Sequence, residues 1–342
     1  MQPPGPPAHS GSYPGCVRIV VLGAGGIGGT IGARLHQAGH DVALIARGAH
    51  LEAMREHGLT FVTPEERVTL QIPAYARPGD LTWRDDDVVV LAAKSQDTEA
   101  AARELAAAAG HVAVVSAQNG VANERTLARW FGDVHGMCVM MPTAHLEPGV
   151  VIAHSVAATG ILDLGRFPGG TDDVDEELAA ALRASRFECR TRPDIMRWKY
   201  RKLLGNLGNS VQALSGFTDD EALQVLDLLT AEAEAVFVAA GIDPVSEEED
   251  EVRRADHLQL RPIGDEPRAG GSTWQSLSRG SGVETDFLNG EIALLGRLHG
   301  VPTPANARIQ ALMTHAATAG TPPASMSGAD LVAELSRAGA VR

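Results

Sequence analysis

The chain has 342 residues, 44% of them hydrophobic, a length that suits two domains with separate buried cores. Its formal net charge of −14 argues against nucleic acid or an anionic membrane as partner, because the average surface field repels both. No run approaches the roughly 18 apolar residues of a membrane span, and the N-terminus lacks the basic and apolar regions of a signal peptide, so a soluble cytoplasmic protein is expected.

Residues 1–16 contain Pro3, Pro4, Pro6, Pro7 and Pro14 among glycines and serines, a composition that buries too little apolar surface to offset its ordering entropy; a disordered arm is expected. From Val17 the run VRIVVLG is continuous and β-branched, as a strand covered on both faces should be. Glycines then lead into GTIGARLHQAG, a helical pattern that Gly39 can close. DVALIAR (41–47), DVVVLAAK (87–94) and HVAVVSAQNG (111–120) are further short apolar strands, with an alanine-rich helix over 98–109. Strand alternating with helix predicts an α/β Rossmann-type domain with a doubly wound, mostly parallel sheet. Between the first two of these runs, residues 59–72 predict a hairpin or a pair of edge strands turning around 63–67.

After about residue 192 the texture changes to long helical segments over 194–214, 219–240, a region ending near Gly300, and 303–317. An all-α C-terminal domain is expected, with Asp194 placed to cap its first helix. The resulting division is an arm at 1–16, a Rossmann domain at 17–192, a helical substrate and dimerisation domain at 193–325, and a C-terminal helix or tail at 326–342. The apolar segment FLNGEIALLGRLHGV suits either an inter-domain core or the seam of a homodimer. Cys16, Cys138 and Cys189 lack a CxxC pair and the histidines are dispersed, so no disulfide framework and no metal site is predicted.

The junction of the first strand and helix reads Gly23-Ala24-Gly25-Gly26-Ile27-Gly28. In a GxGxxG of this context the glycines permit a tight turn, close approach of backbone to a pyrophosphate, and close helix packing, while the helix N-terminus supplies amides for phosphate. An NAD site would place an acidic residue at the end of the second strand. Arg47 stands there instead, and a guanidinium suits the extra 2′-phosphate of NADPH; the alternative is a solvated arginine. Ser95 and Gln96, just past the 87–94 strand, lie at the carboxyl edge where ligands gather.

Carbonyl reduction builds negative charge on oxygen and needs an acid or cation there. Lys202, Asn206 and Asn209 fall at i, i+4 and i+7 of one predicted helix, with Ser210 beside them and Lys199 one turn earlier. Spacing alone leaves open whether this face meets solvent or a cleft.

GAGGIG, a strand ending in Arg47, LAAK with Lys94, QNG with Asn119, the K-x-x-x-N of Lys202 and Asn206, and VETDFLNG with Glu284 occur in one order that resembles the ketopantoate reductase (2-dehydropantoate 2-reductase) family, over residues 17–317. The resemblance implies an active site in the cleft between the two domains and an NADPH-dependent reduction of a small 2-keto acid, 2-dehydropantoate to pantoate, in pantothenate and coenzyme A synthesis. It makes Lys202 the general acid, its pKa lowered by burial or by neighbouring Lys199 and Arg201. Glu284 would accept from the hydroxyl at the far end of the substrate, and Asn206 and Ser272 would hydrogen-bond the substrate. Lys94 and Asn119 would contact cofactor and substrate near the nicotinamide. The chain departs from the pattern where Ser210 replaces a second helix asparagine, with Asn209 displaced by one position, about 100 degrees around a helix. His145 is expected to be a satisfied structural histidine, and the loop SLSRGSGVETD is richer in glycine and serine than the family suggests. Reduction of a related keto acid or imine in a biosynthetic pathway, or NADPH sensing without turnover, are the alternatives.

Overall fold

Short, continuous apolar runs make the central strands because both of their faces are covered. In chain order the N-terminal region forms β1 (Ile19–Leu22), α1 (Gly26–Gln37), β2 (Val42–Ile45), α2 (Gly48–His57), β3 (Leu59–Val62), β4 (Arg67–Leu70), β5 (Ala74–Tyr75), β6 (Val88–Leu91), α3 (Thr98–Ala109) and β7 (Ala113–Ser116). It continues with α4 (Asn123–Leu127), β8 (Val134–Met140), β9 (Thr143–Ala144), β10 (Val150–Ala153), β11 (Ile161–Arg166) and α5 (Asp173–Ala184). This computed structural model describes residues 17–216, 219–263 and 270–340. The proline-rich arm over 1–16, part of the loop before Gly271 and the last two residues lie outside the described residues.

Seven strands form one sheet in the order β11-β8-β7-β6-β1-β2-β5, parallel except where β11 runs antiparallel to β8. The pleat sends Val21, Leu44, Val90 and Val115 to the layer of Ile31 and Leu35 on α1. It sends Val20, Ile45, Val89 and Val114 to the layer of Leu105 on α3. Because β1 has β2 on one side and β6 on the other, the chain reverses direction across the sheet there. A crevice opens at the carboxyl ends of β1, β6 and β7. The expected hairpin is present: β3 and β4 pair antiparallel, Thr63 N donating to Glu66 O at 2.8 Å, and they belong to a second sheet of order β4-β3-β10-β9.

The C-terminal domain is helical: α6 (Ile195–Asn206), α7 (Gly208–Ser215), α8 (Asp220–Ala240), α9 (Glu247–Arg254), α10 (Ser272–Ser278), α11 (Asn289–His299), α12 (Pro304–Ala319) and α13 (Gly328–Arg337). Its core joins Val225, Leu229 and Val236 of α8 to Ile292, Ile309, Met313, Leu331 and Leu335. The single helix expected over 194–214 is interrupted at Leu207. Two weak helix formers, Gly205 and Gly208, flank that residue, and its carbonyl accepts a long 3.5 Å bond from the Asn289 amide. Asp194 occupies the N-cap position of α6 without a side-chain cap; its carboxylate takes Arg197 at 3.3 Å instead.

Helix α6 lies against β8, where Ile195 and Trp198 pack on Cys138, Met140 and Ile161. Buried Arg253 on α9 pairs with buried Asp163 on β11 at 2.7 and 2.9 Å. These contacts set the helical domain over the crevice. Among the described residues no helix is long and apolar enough to cross a membrane.

Candidate active site

A cleft of about 740 Å³ lies between the crevice and the helices, lined from one side by Gly25, Gly26, Ile27, Lys94 and Asn119 and from the other by Lys202, Asn206, Asn209, Ser272 and Glu284. In the loop before α1, Gly23 turns at φ +103°, and a Cβ there would come within 2.6 Å of Ala93 N. A Cβ on Gly28 would meet Gly23 O at 2.1 Å, so this residue packs helix on strand. Around Gly25 no atom lies within 4 Å of a Cβ position, and α1 starts there without a side-chain cap or an acidic residue in its first turn. Free amides facing open space at a helix start are what a diphosphate requires. Ala24 is buried, and its carbonyl is held by His50 at 2.8 Å. Since His50 Nδ1 accepts from Gly149 N at 2.8 Å, Nε2 carries the proton and donates to Ala24. Burial, then the neighbouring His145, pushes the His50 pKa down and keeps the ring neutral.

Lys202 stands on the opposite wall. Its ammonium donates to Asn119 Oδ1 at 2.7 Å. Burial, with the like charges of Lys199 and Arg254 adding to it, brings its pKa down to about 8. Lys199 is the expected neighbour, whereas Arg201 turns away to Glu247 at 3.2 Å. One turn before Lys202, buried Lys199 donates to Gln118 O at 3.0 Å and Met137 O at 3.3 Å and faces the buried Glu124 carboxylate at 2.5 Å. The amide nitrogen of Asn206 is buried without a hydrogen-bond partner among the described residues, a donor left for a ligand.

Glu284 Oε1 accepts from Ser95 N at 3.0 Å and Ser95 Oγ at 2.9 Å. Glu284 thereby ties the helical domain to the carboxyl end of β6 across the cleft. Lys94 is drawn to the same seam, donating to Ser276 Oγ at 3.0 Å, Ser281 Oγ at 3.2 Å and Gly282 O. Burial lowers its pKa, and its partners are all neutral.

Five predicted residues fall outside this lining: Gly23, Ala24 and Gly28 of the glycine loop, and Ser210 and Arg47. Ser210 is fully buried and bonds Asn289 Oδ1 at 2.8 Å and Thr285 Oγ1 at 3.1 Å, inside the helical domain. Arg47 stands exposed at the N-cap position of α2 and pairs with Glu104 of α3 at 2.9 Å. His145, expected to be structural, donates from Nδ1 to Val150 O at 2.9 Å, yet its ring also lines the cleft.

Residues 19–169 match the family described as ketopantoate reductase PanE/ApbA, and residues 194–317 match its C-terminal part. A 2-dehydropantoate 2-reductase of Halobacterium salinarum is 31% identical over 303 residues, covering 84% of this chain and 95% of that one. The chain belongs to the ketopantoate reductase family. It is thereby an oxidoreductase, with the Rossmann and helical domains of that family. A 2-dehydropantoate 2-reductase of Pyrococcus horikoshii is 27% identical, with 87% of this chain and 96% of that one aligned. Among solved structures, the ketopantoate reductase of Ralstonia eutropha JMP134 superimposes with a TM-score of 0.76 at 29% identity over 89% of this chain and 99% of that one. D-mandelate dehydrogenase, in a ternary structure with NADH and anilino(oxo)acetate, gives the same TM-score of 0.76 at 21% identity over 89% of this chain and 99% of that one, a likeness of fold.

Several residues of this cleft carry no signal in the sequence. His50 and Gly149 brace the glycine loop from positions distant in the chain, and Gln118 contributes a carbonyl to Lys199. Arg254 and Arg279 also line the cleft. Arg279 is a lone cation in the glycine- and serine-rich stretch before Glu284.

Proposed function

We propose that the chain reduces 2-dehydropantoate to pantoate with NADPH, in the synthesis of pantothenate. The observation that carries this reading is Lys202: an ammonium on the cleft wall, 2.7 Å from Asn119 Oδ1, with its pKa at about 8. A proton donor tuned near neutrality is suited to protonate an oxygen as negative charge develops on it.

The glycine cradle and the uncapped start of α1 fit a dinucleotide, and when bound the reduced nicotinamide supplies hydride. The chain's own groups do the rest. The Asn206 amide and the Ser272 hydroxyl orient the keto acid, and Asn209 is the helix asparagine that reaches the cleft in place of Ser210. Lys202 gives its proton to the carbonyl oxygen, leaving a neutral amine that solvent reprotonates. Glu284, held by Ser95, accepts from the hydroxyl at the far end. Lys94 and Asn119 place the reacting ends, and Arg47 meets the 2′-phosphate, since an exposed pair such as Arg47–Glu104 contributes only about 0–1 kcal/mol and is readily exchanged. Leu294 and Leu298, one turn apart and exposed on α11, give a second copy an apolar face for a homodimer.

Reduction of a bulkier 2-keto acid is the second reading, favoured by Leu258 and Leu260, which add apolar surface to the cleft. The experiment is NADPH oxidation followed by absorbance with 2-dehydropantoate and with branched and aryl 2-keto acids, wild type beside Lys202→Ala and Arg47→Ala. Turnover of 2-dehydropantoate, lost by about 10²–10⁴-fold in Lys202→Ala with cofactor binding kept, supports the assignment. Arg47→Ala should lose preference for NADPH over NADH. Turnover of another keto acid alone transfers the reaction to the second reading, and NADPH binding without any turnover leaves only a sensing role.

A further inference from the structure

We propose that Arg279 is a cation lent by the helical domain to the diphosphate of the bound dinucleotide, so that cofactor binding clamps the two domains together. This rests on the dinucleotide reading above.

The argument begins at the first residue of α1. A Cβ on Gly26 would lie 3.1 Å from Thr143 Oγ1 and 3.6 Å from the carbonyl carbon of Ala144. The next residue is His145, whose carbonyl oxygen accepts from Arg279 Nη1. The guanidinium is therefore held about one residue's length from the open amides of α1, although it arrives from the far side of the cleft, just after α10. One strand residue spans roughly 3.3 Å, within the reach of a diphosphate.

Charge supports the same placement. The chain has a net charge of −14, yet among the described residues the cleft carries Lys94, Lys202, Arg254 and Arg279 against the single carboxylate of Glu284. Arg254 is taken by Asp250 at 2.8 Å and Lys202 by Asn119. Lys94 spends its donors on Ser276, Ser281 and Gly282. Arg279 is left at the rim, exposed, its bond to the neutral His145 carbonyl leaving most of the fork unused. A planar fork of donors beside a helix start matches phosphate oxygens in a way that an ammonium does not.

The test is titration with NADPH, read by quenching of tryptophan fluorescence and by calorimetry, at two salt concentrations. Adenosine 2′-monophosphate, which lacks the diphosphate, is the comparison ligand. Arg279→Gln should weaken NADPH by about 10-fold or more, the loss of one charge-assisted pairing, and flatten its salt dependence. Adenosine 2′-monophosphate should bind as to wild type, and Arg279→Lys should fall between. Unchanged melting temperatures exclude a folding defect. The clamp is overturned if Arg279→Gln binds NADPH as tightly as wild type, if both ligands weaken equally, or if only the KM for the keto acid rises. A wild-type chain that binds neither NADPH nor NADH would remove the cofactor reading itself, and the clamp with it.

Discussion

Lys202 Nζ and Asn119 Oδ1 meet at 2.7 Å, joining the first helix of the C-terminal domain to the loop that follows β7 of the sheet. The proposed acid is thus positioned by the Rossmann domain. An amide oxygen can hold the lysine without supplying the full negative charge that would raise its pKa, so burial is free to lower it.

The pH dependence follows from the value of about 8. As the proposed acid Lys202 must be protonated to act, so kcat/KM with the keto acid should be flat below that pH and fall above it. Asn119→Asp places a carboxylate against the ammonium and should move the falling limb up by about one pH unit or more. A limb that stays where it was in Asn119→Asp would show that another group sets it. The same shift acts on stability. Unfolded, the lysine titrates near its ordinary ~10.4; folded, at about 8. The charged form costs the fold most below pH 8, and that cost disappears as pH rises between the two values. Lys202→Met should therefore melt higher than wild type at pH 7 and converge with it at high pH.

Lys199 and Glu124 form a pair buried to 3% and 0% exposure, 2.5 Å apart. Lys199→Met leaves a carboxylate in the interior with no opposite charge, a loss of about 3–5 kcal/mol, read by urea unfolding. Adding Glu124→Leu should restore most of it, because the penalty comes from the stranded charge. If the double variant is as unstable as the single one, the pair is holding backbone at Gln118 and Met137 rather than neutralising itself.

Two glycines of one loop should respond in opposite ways. Gly28→Ala drives a methyl to 2.1 Å from Gly23 O, whereas Gly25→Ala meets nothing within 4 Å. The first should lower the melting temperature sharply. The second should keep it and weaken NADPH by about 10-fold or more, since the proposed cofactor reading puts the diphosphate backbone contact in the space beside Gly25. Gly25→Ala with wild-type affinity would move the cofactor elsewhere in the cleft.

Much of this protein can be read along the chain because it is local. The β-branched runs at 19–22, 42–45 and 88–91 and the helix over Thr98–Ala109 follow from periodicity, and the glycine loop is recognisable because strand, glycines and helix are contiguous. Lys202, Asn206 and Asn209 share a face by helical spacing alone, and the break at Leu207 does not remove Asn209 from the cleft. What spacing could not decide is which groups meet across the two domains. Ser210 lies next to Asn209, yet it turns to Thr285 and Asn289, because a residue's direction on a helix is set by rotation and its partner by packing. Glu284 finds Ser95, Lys199 finds Glu124, and Arg279 finds His145 across separations of 189, 75 and 134 residues. Such pairings depend on where α6 comes to rest on the sheet and where the chain after α10 meets the Rossmann domain, and only the closing of the two cores around the cleft fixes those positions.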